Sequence, residues 1–139
     1  MFISIQEIYT HLYPESIRSI SGQDEEDLIF ALDAAIGEVK GYLHAYDTNK
    51  LFSAEGKQRN AYLLLMVKNV AVWHYINKAN PNIDYNDRLY RYETTKKDLV
   101  DIQRGNSVPD FPKLENEDGS QVNTSQFAFM SNPKRTNHV

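Results

Sequence analysis

The sequence contains no cysteine, which excludes disulfide bonds, thiolate zinc sites and a cysteine nucleophile. It also lacks an excess of positive charge, because 15 Lys and Arg residues stand against 19 Asp and Glu residues for a net charge of −4. A global basic field that would attract nucleic acid or an anionic membrane is therefore excluded. The longest apolar run, residues 61–67, is far shorter than the ~20 residues needed to span a bilayer. We expect a soluble protein with no membrane partner and, since Gln6 and Glu7 interrupt the first apolar residues, no signal peptide.

What the sequence does contain is helical periodicity within the length of one domain. The chain has 139 residues, of which 41% are hydrophobic. Ser4 with Glu7 three residues later forms a capping box, which predicts a short first helix ending at Leu12. Pro14 ends this helix and can open a second short helical turn that extends to Ile20.

Three long helices are predicted after these short ones. The first runs over residues 24–46, and its apolar stripe is Leu28, Leu32, Ala35, Val39, Tyr42 or Leu43, and Tyr46. The second, residues 57–79, is apolar on most faces and belongs at the centre of a bundle. The third runs over residues 83–104, where acids and bases balance as on a solvated face, and Gly105 is its C-terminal cap.

Shorter features of the sequence complete the predicted architecture. The four acids of residues 24–27 favour helix initiation over a metal site, because the turn glycine and closing glutamate of a calcium loop are missing. Gly37 and Gly41 predict a flat strip on the helix where another backbone comes close. Residues 46–56 predict a loop anchored through its hydrophobic middle, or a small hairpin.

The overall prediction is an all-α fold with three long helices and two short N-terminal helices in a small bundle. This helical domain is expected to cover residues 1–105. Residues 106–139 contain three prolines, Gly119 and five asparagines with only scattered large hydrophobic residues, which predicts a polar C-terminal tail that is either mobile or packed as extended strands.

No constellation of side chains predicts catalysis. The histidines are His11, His44, His74 and His138, and no two of them lie at the i, i+4 spacing of a helical zinc motif. His74, beside Trp73 in the most apolar helix, is expected to be a core histidine with one satisfied hydrogen bond rather than a catalytic base. A Gly-x-Ser-x-Gly elbow and a phosphate-binding glycine loop are both missing. We therefore predict a protein that is not an enzyme, with no metal, no cofactor and no small-molecule substrate.

The distribution of Lys, Arg and Tyr indicates whether the chain binds nucleic acid or another protein. The nearest approach to a nucleic-acid surface is Arg88, Tyr90, Arg91, Tyr92, Lys96 and Lys97. Interleaved acids at Asp84, Asp87 and Glu93 neutralise this stripe, so nucleic-acid binding is disfavoured. The nine tyrosines favour a protein interaction module, because Tyr is enriched at protein interfaces.

Three pieces of the sequence, within residues 2–105, carry a resemblance to a known family. They are Ile5-Gln6-Glu7-Ile8 leading to Ile17 and Ile20; Ala31-Leu32, Ala35, Glu38-Val39 and Gly41-Tyr42-Leu43; and Arg91-Tyr92 with Leu99, Ile102 and Gly105. Together with Val70-Ala71 through Tyr75 in the middle helix, they resemble a family of small helical proteins encoded among the head and tail morphogenesis genes of Mu-like phages and prophages. That family is itself similar to phage head-tail connector (adaptor) proteins. The chain departs from the family in having no proline in the loop after Leu43 and in its longer tail.

The resemblance implies a non-enzymatic virion assembly protein, either a head-tail connector or a head completion subunit. Such a protein would be in the host cytoplasm during assembly and then in the virion. Its implied partners are phage portal or tail proteins and further copies of itself in a ring, and the matching interface or packing residues are Gly41, Tyr42, Leu43, Arg91 and Tyr92. The alternative is a nucleic-acid-binding or regulatory helical protein of a prophage, and a hydrolase is the least favoured reading.

Overall fold

The computed structural model of the chain describes residues 2–12, 22–79 and 85–115. Its helices are α1 (Ile5–Leu12), α2 (Gly22–Tyr42), α3 (Thr48–Ser53), α4 (Ala61–Ala79) and α5 (Tyr85–Arg104), with a 3₁₀ turn at Gly56–Gln58. Over these three ranges the chain is helical and forms no β-strand, which confirms the all-α prediction. The predicted second short helix, from Pro14 to Ile20, lies outside the described residues.

Helix α4 packs against more of the domain than any other element. Its main contact is with α2, α5 packs against both of them, and α1 packs against α2 and α4. The large α4 side chains that are fully buried are those of Leu63, Met66, Val67, Val70 and Val72. The prediction that this helix is buried on most faces is confirmed, although Tyr62 and Leu65 are exposed at its beginning.

Helix α2 buries the stripe that its periodicity predicts. Leu28, Leu32, Ala35, Val39 and Leu43 are all at most 1% exposed, and they repeat at steps of three and four residues. The helix begins at Gly22 and ends at Tyr42, so it starts two residues before the predicted boundary and stops four residues short of it.

Helix α1 is fixed at its start by the predicted capping box and by a distant arginine. The Ser4 backbone N–H donates to Glu7 Oε2 at 2.9 Å, and the Glu7 N–H donates to Ser4 Oγ at 3.1 Å. Arg59 donates from Nη1 to Glu7 Oε2 and from Nη2 to Glu7 Oε1, both at 2.9 Å, and also donates to the Phe2 carbonyl. The hydrogen bond from Arg59 is the main reason that the pKa of Glu7 is lowered to about 2. Arg59 thus ties the beginning of α1 to the chain just before α4.

The predicted loop over residues 46–56 is wrong in its centre, where the chain forms α3. Asp47 begins this helix by accepting a hydrogen bond from the Lys50 N–H at 3.1 Å, which is the role of an N-cap residue. The anchoring of the segment is as predicted, because Leu51 is buried and the Phe52 ring lies 5.0 Å from the Phe2 ring.

The predicted close packing at Gly37 and Gly41 is wrong within this chain. Both glycines are exposed, and a Cβ atom added at either would meet no heavy atom within 4 Å. The reason is helical geometry, since each glycine lies two residues from Ala35 or Val39 and therefore about 200° around the helix from the buried stripe. The small side chains on the buried side of the helix are those of Ala31 and Ala35, which are both completely buried.

The domain boundary at Gly105 stays a prediction, although a residue beyond it, Phe111, belongs to the hydrophobic core. Gly105 itself caps α5 as predicted, with a φ of 82° and its N–H bonded to the Ile102 carbonyl at 3.1 Å. Residues 106–115, here named the strap, then bring Phe111 into the hydrophobic core at 5% exposure. The rest of the predicted polar tail, residues 116–139, lies outside the described residues. In the described ranges, no helix has the length and apolar character to cross a membrane.

Candidate functional site

Four aromatic rings from α4 and α5 form a continuous group, here named the aromatic surface. It consists of Trp73 and His74 on α4 and Tyr85 and Tyr92 on α5. The Trp73 ring stacks on Tyr92 with centroids 5.5 Å apart and planes at 19°, and it meets Tyr85 at 5.1 Å and 55°. His74 meets Tyr92 edge-on at 6.0 Å. Tyr85 and Tyr92 are seven residues apart, which places both on the face of α5 that meets Trp73.

Glu38 connects the aromatic surface, which α4 and α5 form, to α2. The Tyr92 hydroxyl donates to Glu38 Oε1 at 3.2 Å, and His74 Nε2 lies 3.6 Å from the same oxygen. Glu38 Oε2 and His74 Nε2 are shielded from solvent and make no hydrogen bond. His74 therefore differs from its prediction, because it is only partly buried and its Nε2 has a carboxylate nearby but no hydrogen-bond partner.

The chemistry of Tyr92 is that of a hydrogen-bond donor. Burial, which is the largest cause, raises the pKa of Tyr92 from 10 to about 12 together with the charge of Glu38 and the hydrogen bond to it. A phenol with this pKa stays protonated near neutral pH and does not act as a base there. Its hydroxyl can therefore hold Glu38 in place, and its ring supports Trp73.

Cationic side chains lie against aromatic rings at two places on these helices. Lys96 Nζ is 6.0 Å from the Tyr92 ring centroid, and Lys78 Nζ is 4.6 Å from that of Phe30. Phe30 is 56% exposed on α2, and Tyr85 is 51% exposed on α5. Exposed aromatic rings on α2 and α5 are thus accompanied by positively charged side chains of α4 and α5.

The residues implied by the family resemblance occupy different environments. Leu43 is completely buried, and Tyr42 packs on the core close enough to Tyr92 to help raise its pKa. Gly41 is exposed on α2, and Arg91 is exposed on α5, where its Nε is 3.1 Å from Asp87 Oδ2. The structure therefore brings Tyr42 and Tyr92 together but leaves Gly41 and Arg91 outside this group.

Sequence reasoning missed the partners of Tyr92. The seven-residue step from Tyr85 to Tyr92 is a signal that both share a helix face, and it also identifies the aromatic surface on α5. No spacing within one helix indicates that Glu38 meets His74, because they belong to separate helices joined by a long connection.

Neither metal ligation nor similarity to known proteins adds a further site. In the part of the chain that the structure describes, no three His, Asp or Glu side chains are arranged to hold a metal ion. The chain matches no protein-family model, no curated protein and no solved structure in the comparisons made.

Proposed function

We propose that this chain is a non-enzymatic virion assembly protein of a phage or prophage, either a head-tail connector or a head completion subunit. The structural observation that supports the proposal is the aromatic surface, with the exposed rings of Tyr85 and, on α2, Phe30. The sequence motifs that resemble the Mu-like phage family support it independently. In this role the helices form a small bundle that serves as a rigid block between neighbouring subunits.

The aromatic surface has properties that suit a protein interface. Tyrosine and tryptophan bury a large area at a low cost in side-chain entropy, and both are enriched at interfaces. The Tyr92 hydrogen bond to Glu38 and the stack on Trp73 hold two of these rings in one orientation before a partner arrives. Such preorganisation lowers the entropic cost of binding. The partners in this proposal are portal or tail proteins and other copies of the chain arranged in a ring.

A prophage protein that binds nucleic acid is the second candidate. Lys78 and Lys96 beside aromatic rings favour it, because single-stranded nucleic acid binds to stacked rings flanked by positive charge. Glu38 beneath the same rings disfavours it, because a carboxylate repels phosphate. Binding of a single-stranded oligonucleotide that weakens steeply with added salt is the result expected for this candidate and not for the first.

The test is complementation of a gene deletion in the source phage or prophage. The deletion should yield heads and tails that do not join, and the wild-type gene should restore infectious particles that contain the protein by mass spectrometry. A Phe30→Ser/Tyr85→Ser variant should restore at least about tenfold fewer particles, because two exposed apolar contacts of an interface are lost.

The matched control is Tyr90→Ser. Tyr90 is 70% exposed on α5 but is two residues from Tyr92, and so it lies on a different face of the helix. This variant should complement like the wild type. Absence of the protein from purified virions, together with normal particles after the deletion, would contradict the proposed function.

A further inference from the structure

The strap lies on a site of its own, formed by the chain between α2 and α4. Tyr46 pairs with Lys113 in an isolated antiparallel bridge, and the Asp47 N–H donates to the Pro112 carbonyl at 2.8 Å. These are backbone contacts between two short extended segments. The strap is therefore held partly through backbone atoms, which any extended segment can supply.

An aromatic slot gives the same site its selectivity. Phe111 inserts with its ring 5.5 Å from the Tyr46 ring, edge-on, and 6.3 Å from the Tyr62 ring. Asn60 Nδ2 donates to the Asp110 carbonyl at 3.3 Å. We name Tyr46, Asp47, Asn60 and Tyr62 together the strap site. Only 5% of Phe111 is exposed, so this one residue supplies most of the apolar contact.

The strap has the features of a peptide ligand. Backbone pairing combined with one aromatic anchor is how many domains recognise an extended peptide. Pro109 and Pro112 flank the anchor, and their fixed φ angles reduce the conformational entropy that is lost on docking. The N–H groups of Asn106 and Ser107 are bonded to the Asp101 carbonyl at the end of α5, and the connection to the anchor then passes through Val108, which is 67% exposed.

We propose that copies of this chain join by strap exchange, in which the strap of one copy docks on the strap site of another. The occupant is known from the structure itself, because the strap is the segment that fits this site. Exchange replaces each intramolecular contact with an identical intermolecular one, which makes it a low-cost route to association. This inference rests on the proposed function, because strap exchange is the contact that would connect neighbouring copies in the proposed ring.

Concentration determines which arrangement is populated. A short tether holds the strap at an effective concentration of roughly millimolar near its own site, so an isolated copy in dilute solution keeps its strap. Neighbouring copies held side by side on a particle reach a comparable local concentration. Exchange is therefore expected during assembly and not in dilute wild-type protein.

The test uses two full-length variants with complementary defects. Phe111→Ala removes the anchor of the strap and leaves its own strap site vacant. Asn60→Asp/Tyr62→Ala damages the strap site and leaves the strap intact, and the aspartate retains an oxygen to cap α4. Each variant alone should be monomeric in native mass spectrometry, whereas an equimolar mixture should form a one-to-one heterodimer.

The control replaces the second variant by Asn60→Asp/Tyr62→Ala/Phe111→Ala, whose strap has no anchor. Its association with the Phe111→Ala protein should be at least about tenfold weaker, because the aromatic contact is absent from both copies. Circular dichroism establishes whether each variant is folded. If the Phe111→Ala protein is unfolded, the Phe111→Leu protein takes its place. A synthetic peptide of residues 106–115 should also bind to the vacant site, and should bind much less to the wild type.

A mixture that stays monomeric while the peptide binds to the vacant site would overturn strap exchange, and so would failure of the peptide to bind. These results are separable from those on the proposed function. A missing heterodimer from a protein that is present in virions contradicts strap exchange alone. A heterodimer from a protein that is absent from virions contradicts the assembly role alone.

Discussion

Replacing Glu7 by Gln should destabilise the protein near neutral pH. It should also make the free energy of unfolding depend less on pH in the acid range. In the wild type, both carboxylate oxygens of Glu7 accept hydrogen bonds from the Arg59 guanidinium at 2.9 Å. Glutamine has one oxygen and no charge, so the paired hydrogen bonds and the charge attraction are both lost. The capping interaction with the Ser4 N–H can survive, because the amide oxygen still accepts a hydrogen bond.

The pKa of Glu7 sets the size of the effect. Its lowering from 4.5 to about 2 would correspond to about 3 kcal/mol of stability for a fully shielded group. The Glu7 side chain is 36% exposed, however, and solvent screens the interaction with Arg59. We therefore expect Glu7→Gln to reduce the free energy of unfolding at pH 7 by about 1–2 kcal/mol.

The pH dependence follows from the direction of the shift. A carboxylate whose pKa is lowered by folding contributes its full stability above its unfolded pKa of 4.5, and loses it as the pH falls toward 2. Urea denaturation of both proteins between pH 7 and pH 2 measures the difference. The difference should be constant above pH 4.5 and should disappear near pH 2.

Two further variants separate the ion pair from the helix cap. Ser4→Ala removes the hydroxyl that caps α1 and should cost about 1 kcal/mol with little pH dependence in the same range. In an Arg59→Met protein, Glu7→Gln should lose most of its effect, because the partner is already gone. A Glu7→Gln protein that is as stable as the wild type, or a stability difference that stays constant down to pH 2, would refute this reasoning.

Three further predictions follow from positions described above. Phe111→Ala should lower the free energy of unfolding by about 3 kcal/mol in urea titrations, because it empties a buried aromatic site; an unchanged midpoint would place the strap outside the core. Gly37→Ala and Gly41→Ala should each raise stability by about 0.5–1 kcal/mol, because the added Cβ meets no heavy atom within 4 Å and alanine favours a helix over glycine; a lower melting temperature for both would contradict the open space. Tyr92→Phe should abolish the phenolate absorbance that titrates near pH 12, and it should cost about 1 kcal/mol as the hydrogen bond to Glu38 is lost; retention of that absorbance would assign it to another tyrosine.

The sequence predicts the features that depend on local spacing. The stripe from Leu28 to Leu43 is visible in the sequence because a helix repeats every 3.6 residues. The capping box is visible because its two partners, Ser4 and Glu7, are three residues apart. The same spacing argument, applied to Gly37 and Gly41, would have placed them opposite the buried stripe. Their expected close packing followed from the cost of glycine in a helix and from their spacing of four, which puts both on one face but does not determine the direction in which that face points.

Features that depend on distant partners were not predictable in this way. Glu7 and Arg59 are 52 positions apart, and nothing near either residue indicates the other. Phe111 lies in a segment whose prolines and asparagines are typical of a tail, and its burial depends on Tyr46 and Tyr62. For the candidate site, Tyr92 was identified through a motif, whereas Glu38 was not assigned a role because its contacts come from the packing of three helices.

Asn60 makes the start of α4 sensitive to the position of the strap. Its Oδ1 accepts hydrogen bonds from the N–H groups of Tyr62 and Leu63 at 3.0 and 3.1 Å, while its Nδ2 holds the Asp110 carbonyl. Both atoms belong to one planar amide, so a rotation that follows a departing strap withdraws the oxygen from the first turn of the helix. Loss of the strap and fraying of this turn are thus mechanically linked. The backbone amide protons of Tyr62 and Leu63 can serve as a spectroscopic reporter of a contact made 50 residues further along the chain.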